Sequence, residues 1–415
     1  MLNAPILRGY ALTLLGHPLF ALLLVGIAVA ASAAIVRFVA PVRNTLERKE
    51  ISRFQALDAL RGLLALGVMA SHVPITWSYI TRGKWFFLND SNVYALLGEV
   101  CVALFFMTTG FLFWQKLLKS SGRLDIPVFL IGRIFRIYPL YLAVLVLVLF
   151  LSFALQDWQH RETIAETLRE CVRWCTFYAS DLNRLPNTSI LIARVEWSLR
   201  YEWFFYGMLP VAAVVFSATK RHYYGLLAGI FLMGCLAVFD PAHRFVPRQC
   251  AAFLGGITAA YLSLGTNSFF VQARTWLQHW VSSIFALGAL LGVLCFASSA
   301  YSLVSLCLLS VVFAAVASGN RLFGLLKPAS ILWLGEISYG IYLLHGIVLW
   351  FGCQVLVRFC SDFPEQPNPI VFCLCACGVS VGAVCVASFA HIFIEQPGIE
   401  AGKRCAQWWR QMRQH

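Results

Sequence analysis

Residues 57–80 read LDALRGLLALGVMASHVPITWSYI. Only Asp58, Arg61 and His72 interrupt this stretch with charge or an imidazole. A hydrocarbon core about 30 Å thick is crossed by roughly 20 apolar residues in a helix, so the run is long enough to span a membrane. Similar runs recur along the 415 residues, of which 60% are hydrophobic and 12% charged. Mean hydropathy is +0.75. A soluble domain carries about 25% charged residues, so this chain cannot coat a water-facing surface. Lipid must be its main solvent.

Runs and breaks give eleven candidate spanning helices: Tyr10–Val36, Leu57–Ile80, Tyr94–Leu118, Ile134–Leu155, Val195–Ser217, Tyr223–Phe239, Gln249–Leu264, Trp280–Ser298, Tyr301–Ser318, Ile331–Val357 and Ile370–Ile394. The expected fold is therefore all-α, a polytopic transmembrane helical bundle of about eleven helices. Gln156 to Arg194 is the longest expected loop, and no internal repeat is present. The first run is too long for the 7–15-residue apolar region of a signal peptide, and is read as a retained helix.

The formal net charge of +13 is accounted for by the positive-inside rule, and nucleic-acid binding is set aside. Arg8 precedes the first helix, whereas Arg37, Arg43, Arg48, Lys49 and Arg53 follow it. With the N-terminus outside, predicted cytoplasmic segments hold 20 of the 32 Lys and Arg residues. The C-terminus is then cytoplasmic. The 14 cysteines form no CxxC pair and no zinc spacing, so no metal site is expected. Cys171 and Cys175 share the long exterior loop, where an oxidising compartment could join them.

Ionisable residues inside spanning helices are costly and mark function. Arg61 and His72 are eleven residues apart, about three helical turns, so they share one face roughly 16 Å apart along the axis. Asp58, one turn before Arg61, can pair with it. Taken alone, His72 is as well explained by a hydrogen-bonding tie between helices. Arg133 and Arg136 stand just before the fourth expected helix and point together. Their guanidinium forks suit phosphate, although ordinary basic anchors would sit there too. Glu202 lies beyond the first turn of its helix, within EWSLRYEWFFY (196–206). His345 is a second intramembrane histidine, within ISYGIYLLH (337–345). Gly110, beside Thr108 and Thr109, suggests close helix packing.

Together these segments resemble the membrane-bound acyltransferase family 3, the group containing O-antigen and exopolysaccharide O-acetyltransferases. The likeness runs from Phe54 to Pro397. Arg61 and His72 meet the family's Arg-x10-His, and Phe105-Phe106-Met107-Thr108-Thr109-Gly110 its FF-x-x-SG segment, with Thr109 in place of Ser. Arg133 and Arg136 match its arginine pair before Tyr-Pro. Trp197, Ser198, Leu199, Glu202, Phe205 and Tyr206 match W-S-L-x-x-E-x-x-F-Y. Ser338, Tyr339, Tyr342, Leu343 and His345 match S-Y-x-x-Y-L-x-H, and Ile394, Glu395 and Pro397 the closing I-E-x-P.

The resemblance implies a ten-helix core (54–397), preceded by an extra N-terminal helix and basic linker (1–53) and followed by a basic cytoplasmic tail (398–415). It implies a bacterial inner-membrane enzyme that takes an acyl group, acetyl being the expected one, from cytoplasmic acyl-CoA such as acetyl-CoA. The acceptor would be a hydroxyl of a cell-envelope glycan or lipid-linked saccharide. In that scheme Arg133, Arg136 and Arg61 hold the phosphates of CoA. His72 is the general base or an acyl carrier, with Glu202 orienting it or binding the acceptor. Trp197, Tyr339 and His345 line the substrate path. No permanently bound cofactor is implied. An appended esterase-like domain, which some relatives carry, is not seen, so a periplasmic partner acyltransferase remains a possible recipient of the acyl group. The rival readings are a transporter or flippase of lipid-linked sugars, whose path intramembrane Arg, His and Glu would line, and a membrane scaffold indifferent to these residues.

Overall fold

The structure is a computed structural model describing residues 15–48, 54–86, 92–238, 246–359 and 368–413. Arg8, Tyr10, Lys49, Arg53 and Phe239, which figure in the sequence reading, lie outside the described residues. Among the described residues every regular element is helical, as expected of an all-α bundle.

In chain order these are α1 (Pro18–Phe38), α2 (Ala40–Arg48), α3 (Gln55–Arg82), α4 (Asn92–Lys119), α5 (Ile126–Ala154), α6 (Ile164–Cys175), α7 (Glu196–Thr219) and α8 (His222–Val238). Then come α9 (Pro247–Leu264), α10 (Ser268–Gln278), α11 (Trp280–Phe296), α12 (Leu303–Ala317), α13 (Ala329–Glu336), α14 (Ser338–Phe359) and α15 (Pro369–Ala390). A π-helical turn, His391–Glu395, leads into α16 (Gln396–Met412).

Seven of the described segments are long and apolar enough to cross a membrane: α1, α3, α4, α5, α7, α14 and the continuous run α15–α16. The pair α10–α11, bent by 77°, makes an eighth if taken as one span. This is fewer than eleven: α9 has 18 residues but begins with Pro247, Arg248 and Gln249 and is not apolar enough, and two other helices fall short in length. At 1.5 Å per residue, the 17 residues of α8 and 15 of α12 reach only about 22–26 Å, short of a hydrocarbon core of about 30 Å.

Three boundaries differ from the sequence reading. The helix expected at Ile134 begins at Ile126, capped by the Asp125 side chain on the Val128 amide, so Arg133 and Arg136 lie within it. The single helix expected over Ile331–Val357 is broken at Ile337 into α13 and α14; hydropathy runs unbroken through that kink. The long loop contains α6, begun by a reciprocal capping box between Thr163 and Glu166. Cys171 and Cys175 are free thiols on α6, and burial pushes both thiols up from their ordinary range.

The chain forms two compact units, residues 1–112 with 248–387 and residues 113–247 with 388–415. In lipid, helices associate through close packing and hydrogen bonds more than through hydrophobicity. The first unit accordingly has two glycine seams. A Cβ on Gly62 of α3 would come within 2.6 Å of the Gly335 nitrogen of α13, and one on Gly335 would overlap the Asp58 carbonyl. On α4 and α9, a Cβ at Gly110 or Gly256 would strike the Phe253 or Met107 carbonyl respectively. The close packing expected at Gly110 is thus present. The α1 helix is sewn into this unit: Phe20 and Leu24 join Val73, Trp77, Leu349 and Phe372 in one core. The Tyr94 hydroxyl donates to the His17 carbonyl (3.0 Å) and that of Ser32 to the Ser330 carbonyl (2.7 Å).

In the second unit α16 lies along α5, where Gly398 and Gly402 leave room for Pro139 and Phe135. Asn183, fully buried, anchors the segment before α6. It donates to the Gln159 carbonyl (2.8 Å), and its own carbonyl accepts from Gln156 (2.7 Å). Its side-chain oxygen accepts from the Arg161 amide (2.9 Å).

Candidate active site

In the first unit α3 carries both Arg61 and His72. Arg61 lies 3.9 Å from Asp58, an ion pair of half-exposed side chains. His72 meets His345 of α14, whose ring is wholly buried. His345 Nε2 lies 3.2 Å from His72 Nδ1, and the ring centroids are 5.0 Å apart. Two carbonyls decide how this pair is protonated. His345 Nδ1 is 3.1 Å from the Ile341 carbonyl and His72 Nδ1 is 2.9 Å from that of Val68. A carbonyl only accepts, so each neutral ring must carry its proton on Nδ1. The one proton on His72 Nδ1 is then shared between the Val68 carbonyl and the Nε2 lone pair of His345. Among the described residues no hydrogen bond reaches His72 Nε2, so in this tautomer its lone pair is unengaged.

The sequence reading missed Trp85. Gly83 ends α3 in the left-handed conformation (φ 67°), a helix stop to which glycine is suited. The chain folds back there, and the Trp85 ring stacks on His72 with centroids 6.1 Å apart and planes at 29°. The glycine after the helix was the available signal. Tyr342 flanks the other histidine, its ring 6.4 Å from that of His345. Tyr339 is half-buried on the same helix, six residues before His345.

In the second unit Glu202 accepts a hydrogen bond from the Tyr206 hydroxyl (2.9 Å), one turn along α7. Arg133 of α5 stands beside that same hydroxyl, with its guanidinium 4.8 Å from the Phe113 ring centre. Arg136 lies one turn further along α5. Lys116 is near Arg133, Arg410 and Asp125, and Arg410 reaches Asp125 at 3.8 Å. Lys116 of α4 thus stands among Arg133 of α5, Arg410 of α16 and the Asp125 carboxylate. Neither Lys116 nor Arg410 belongs to a motif singled out in the sequence. Trp197 packs its ring edge-on against Tyr201, 5.6 Å away. Arg200 stacks 3.9 Å from the Tyr178 ring and donates to the Phe177 carbonyl, pinning the loop before α7.

The first unit therefore pairs His72 with His345, and the second links Arg133 to Glu202 through Tyr206. These are the residues that the sequence motifs had singled out, and the family model of the Acyltransferase domain matches residues 54–388 of this chain. The chain belongs to acyltransferase family 3. No curated protein and no solved structure matches it. The acyltransferase domain includes His72, His345, Arg133 and Glu202, whereas α1 and α2 precede it and α16 follows it. Its spanning helices make this acyltransferase a multi-pass membrane protein. Among the described residues no group of three His, Cys, Asp or Glu side chains is arranged to hold a metal.

Proposed function

We propose that this acyltransferase moves an acyl group, acetyl being the expected one, from cytoplasmic acyl-CoA to a hydroxyl of a cell-envelope glycan such as O-antigen or exopolysaccharide. The observation carrying the proposal is the unengaged Nε2 of His72, its tautomer set by His345 and the Val68 carbonyl.

A sugar hydroxyl is a weak nucleophile until a base removes its proton, and imidazole is suited to that near neutral pH. In the proposed step His72 Nε2 takes the hydroxyl proton as the oxygen attacks the thioester carbonyl. The new C–O bond replaces the C–S bond, and the proton passes from the imidazolium to the departing thiolate. The positive charge that develops on His72 strengthens its Nδ1–H bond to His345 Nε2, so His345 orients the base and supports its charged form. A route through an acyl-imidazole uses the same nitrogen as nucleophile. Arg133 and Arg136, with Arg61, are assigned to the phosphates of CoA. Glu202 is assigned to the acceptor hydroxyls, with Trp197 and Tyr339 along the acceptor path.

The test is direct. Membranes holding the native glycan are incubated with acyl-labelled acetyl-CoA, and label is sought in the glycan. Transfer by the wild type and none by an inserted His72→Ala variant supports the reading. Full transfer by that variant removes it, and movement of a lipid-linked sugar without labelling supports a flippase instead.

A further inference from the structure

Helix α6 is a separate structural feature, argued independently of the acyl-transfer reading. Taken at about 100° per residue, its side chains fall on three faces. One faces the protein: Trp174 is fully buried and donates from its indole to the Ser180 carbonyl (2.9 Å). Tyr141 and Tyr138 of α5 donate to the carbonyls of Trp174 (2.8 Å) and Cys175 (2.9 Å). The second face is charged, with Glu166, Arg169, Glu170 and Arg173; Arg173 pairs with Glu170 at 3.2 Å. The third is apolar and turned outward: Ile164, Leu168 and Val172, spaced by four, are 73%, 62% and 64% exposed.

The helix before it, α5, is long and apolar enough to cross a membrane and also turns apolar side chains outward near its end. On the spanning helix α5, Val146 and Phe150 are exposed at 67% and 54%. The chain then turns through two left-handed residues, Asp157 and Trp158, and the Trp158 ring comes back onto Phe150 with centroids 5.1 Å apart. An apolar face, a charged face and arginines on the flank are the features of a helix lying in the membrane interface. We infer that α6 is an interfacial helix, its Ile164–Leu168–Val172 stripe sunk among the acyl chains of the leaflet that borders the end of α5. The occupant of this face is bilayer lipid. Because the helix is pinned at its start by Asn183 and at its end by Tyr138 and Tyr141, it holds the whole 156–194 segment at headgroup level.

The experiment uses the full chain in vesicles of phosphatidylethanolamine and phosphatidylglycerol. A photoreactive benzophenone amino acid replaces Leu168, Val146 or Arg173 in turn, and adducts are identified by mass spectrometry after irradiation. The expected result is lipid adducts at positions 168 and 146 and none at 173. Lipid at 146 without lipid at 168 would overturn the inference. So would a protein adduct at 168, which would make the stripe a protein interface. Repeating the measurement at Ile164 guards against a local defect at one position.

Discussion

His345 Nε2 stands 3.2 Å from His72 Nδ1, although 273 residues separate the two in sequence. Each ring also has its Nδ1 on a carbonyl of its own helix, so the two backbone carbonyls fix both tautomers and aim His345 Nε2 at His72. Removing His72 should abolish acyl transfer. His345→Ala should leave a slower enzyme, because one orienting hydrogen bond of about 1–3 kcal/mol is lost. That corresponds to a fall of roughly 5- to 150-fold in kcat. Steady-state kinetics on purified protein check this, and equal loss in the two variants would contradict an orienting role.

Trp85 covers the His72 ring and is a positioning residue. Trp85→Ala should lower kcat by several-fold and leave the KM for acyl-CoA unchanged. Trp85→Phe, which keeps an aromatic face, should restore most of the rate. A change in KM alone would assign Trp85 to substrate binding.

Arg133→Lys keeps the charge but loses the planar fork. The KM for acyl-CoA should rise by about 10- to 150-fold, as expected for losing one charge-assisted hydrogen bond worth about 1.5–3 kcal/mol, while the KM for the acceptor stays constant. Parallel loss of both would indicate damage to the fold rather than to donor binding.

Gly335→Ala should destabilise the protein by about 1–3 kcal/mol, since the added methyl overlaps the Asp58 carbonyl and overpacking costs that much. Gly288→Ala, where nothing lies within 4 Å, is the control. Thermal unfolding in detergent should separate the two variants clearly.

The start of α6 should respond to acid. Hydrogen bonds from the Thr163 amide and hydroxyl hold Glu166 below its ordinary value of 4.5. A depressed carboxylate stabilises the fold above its unfolded pKa and loses that contribution as pH falls through the folded value. The protection factors of amides in the first turn of α6 should therefore fall only in acid below the ordinary glutamate range. Glu166→Ala should show fast exchange already at neutral pH.

Much of this was legible before any coordinates. Membrane spanning follows from apolar length, and the shared face of Arg61 and His72 follows from their spacing on one helix. The Thr163-x-x-Glu166 pattern would have announced α6 had it been weighed against the polarity of the loop. The partnership of His72 with His345 was out of reach, because nothing local in either segment specifies which distant helix it meets. The break at Ile337 was hidden too, since an apolar kink leaves hydropathy unchanged. Arg133 was placed outside its helix because Ile126–Gly132 carries no cap as conspicuous as the arginines that follow; Asp125 was the missed clue.

The anchoring of α1 bears on how this enzyme can be engineered. The stretch ahead of residue 54 falls outside the matched domain, yet it supplies Phe20 and Leu24 to a shared core and ties to Tyr94 and Ser330. A chimera that joined residues 54 onward to a foreign leader would inherit an uncovered groove along α3 and α13. The natural unit for transplantation therefore starts upstream of the recognisable domain, and exchanges between relatives should carry the leading helix along with its bed.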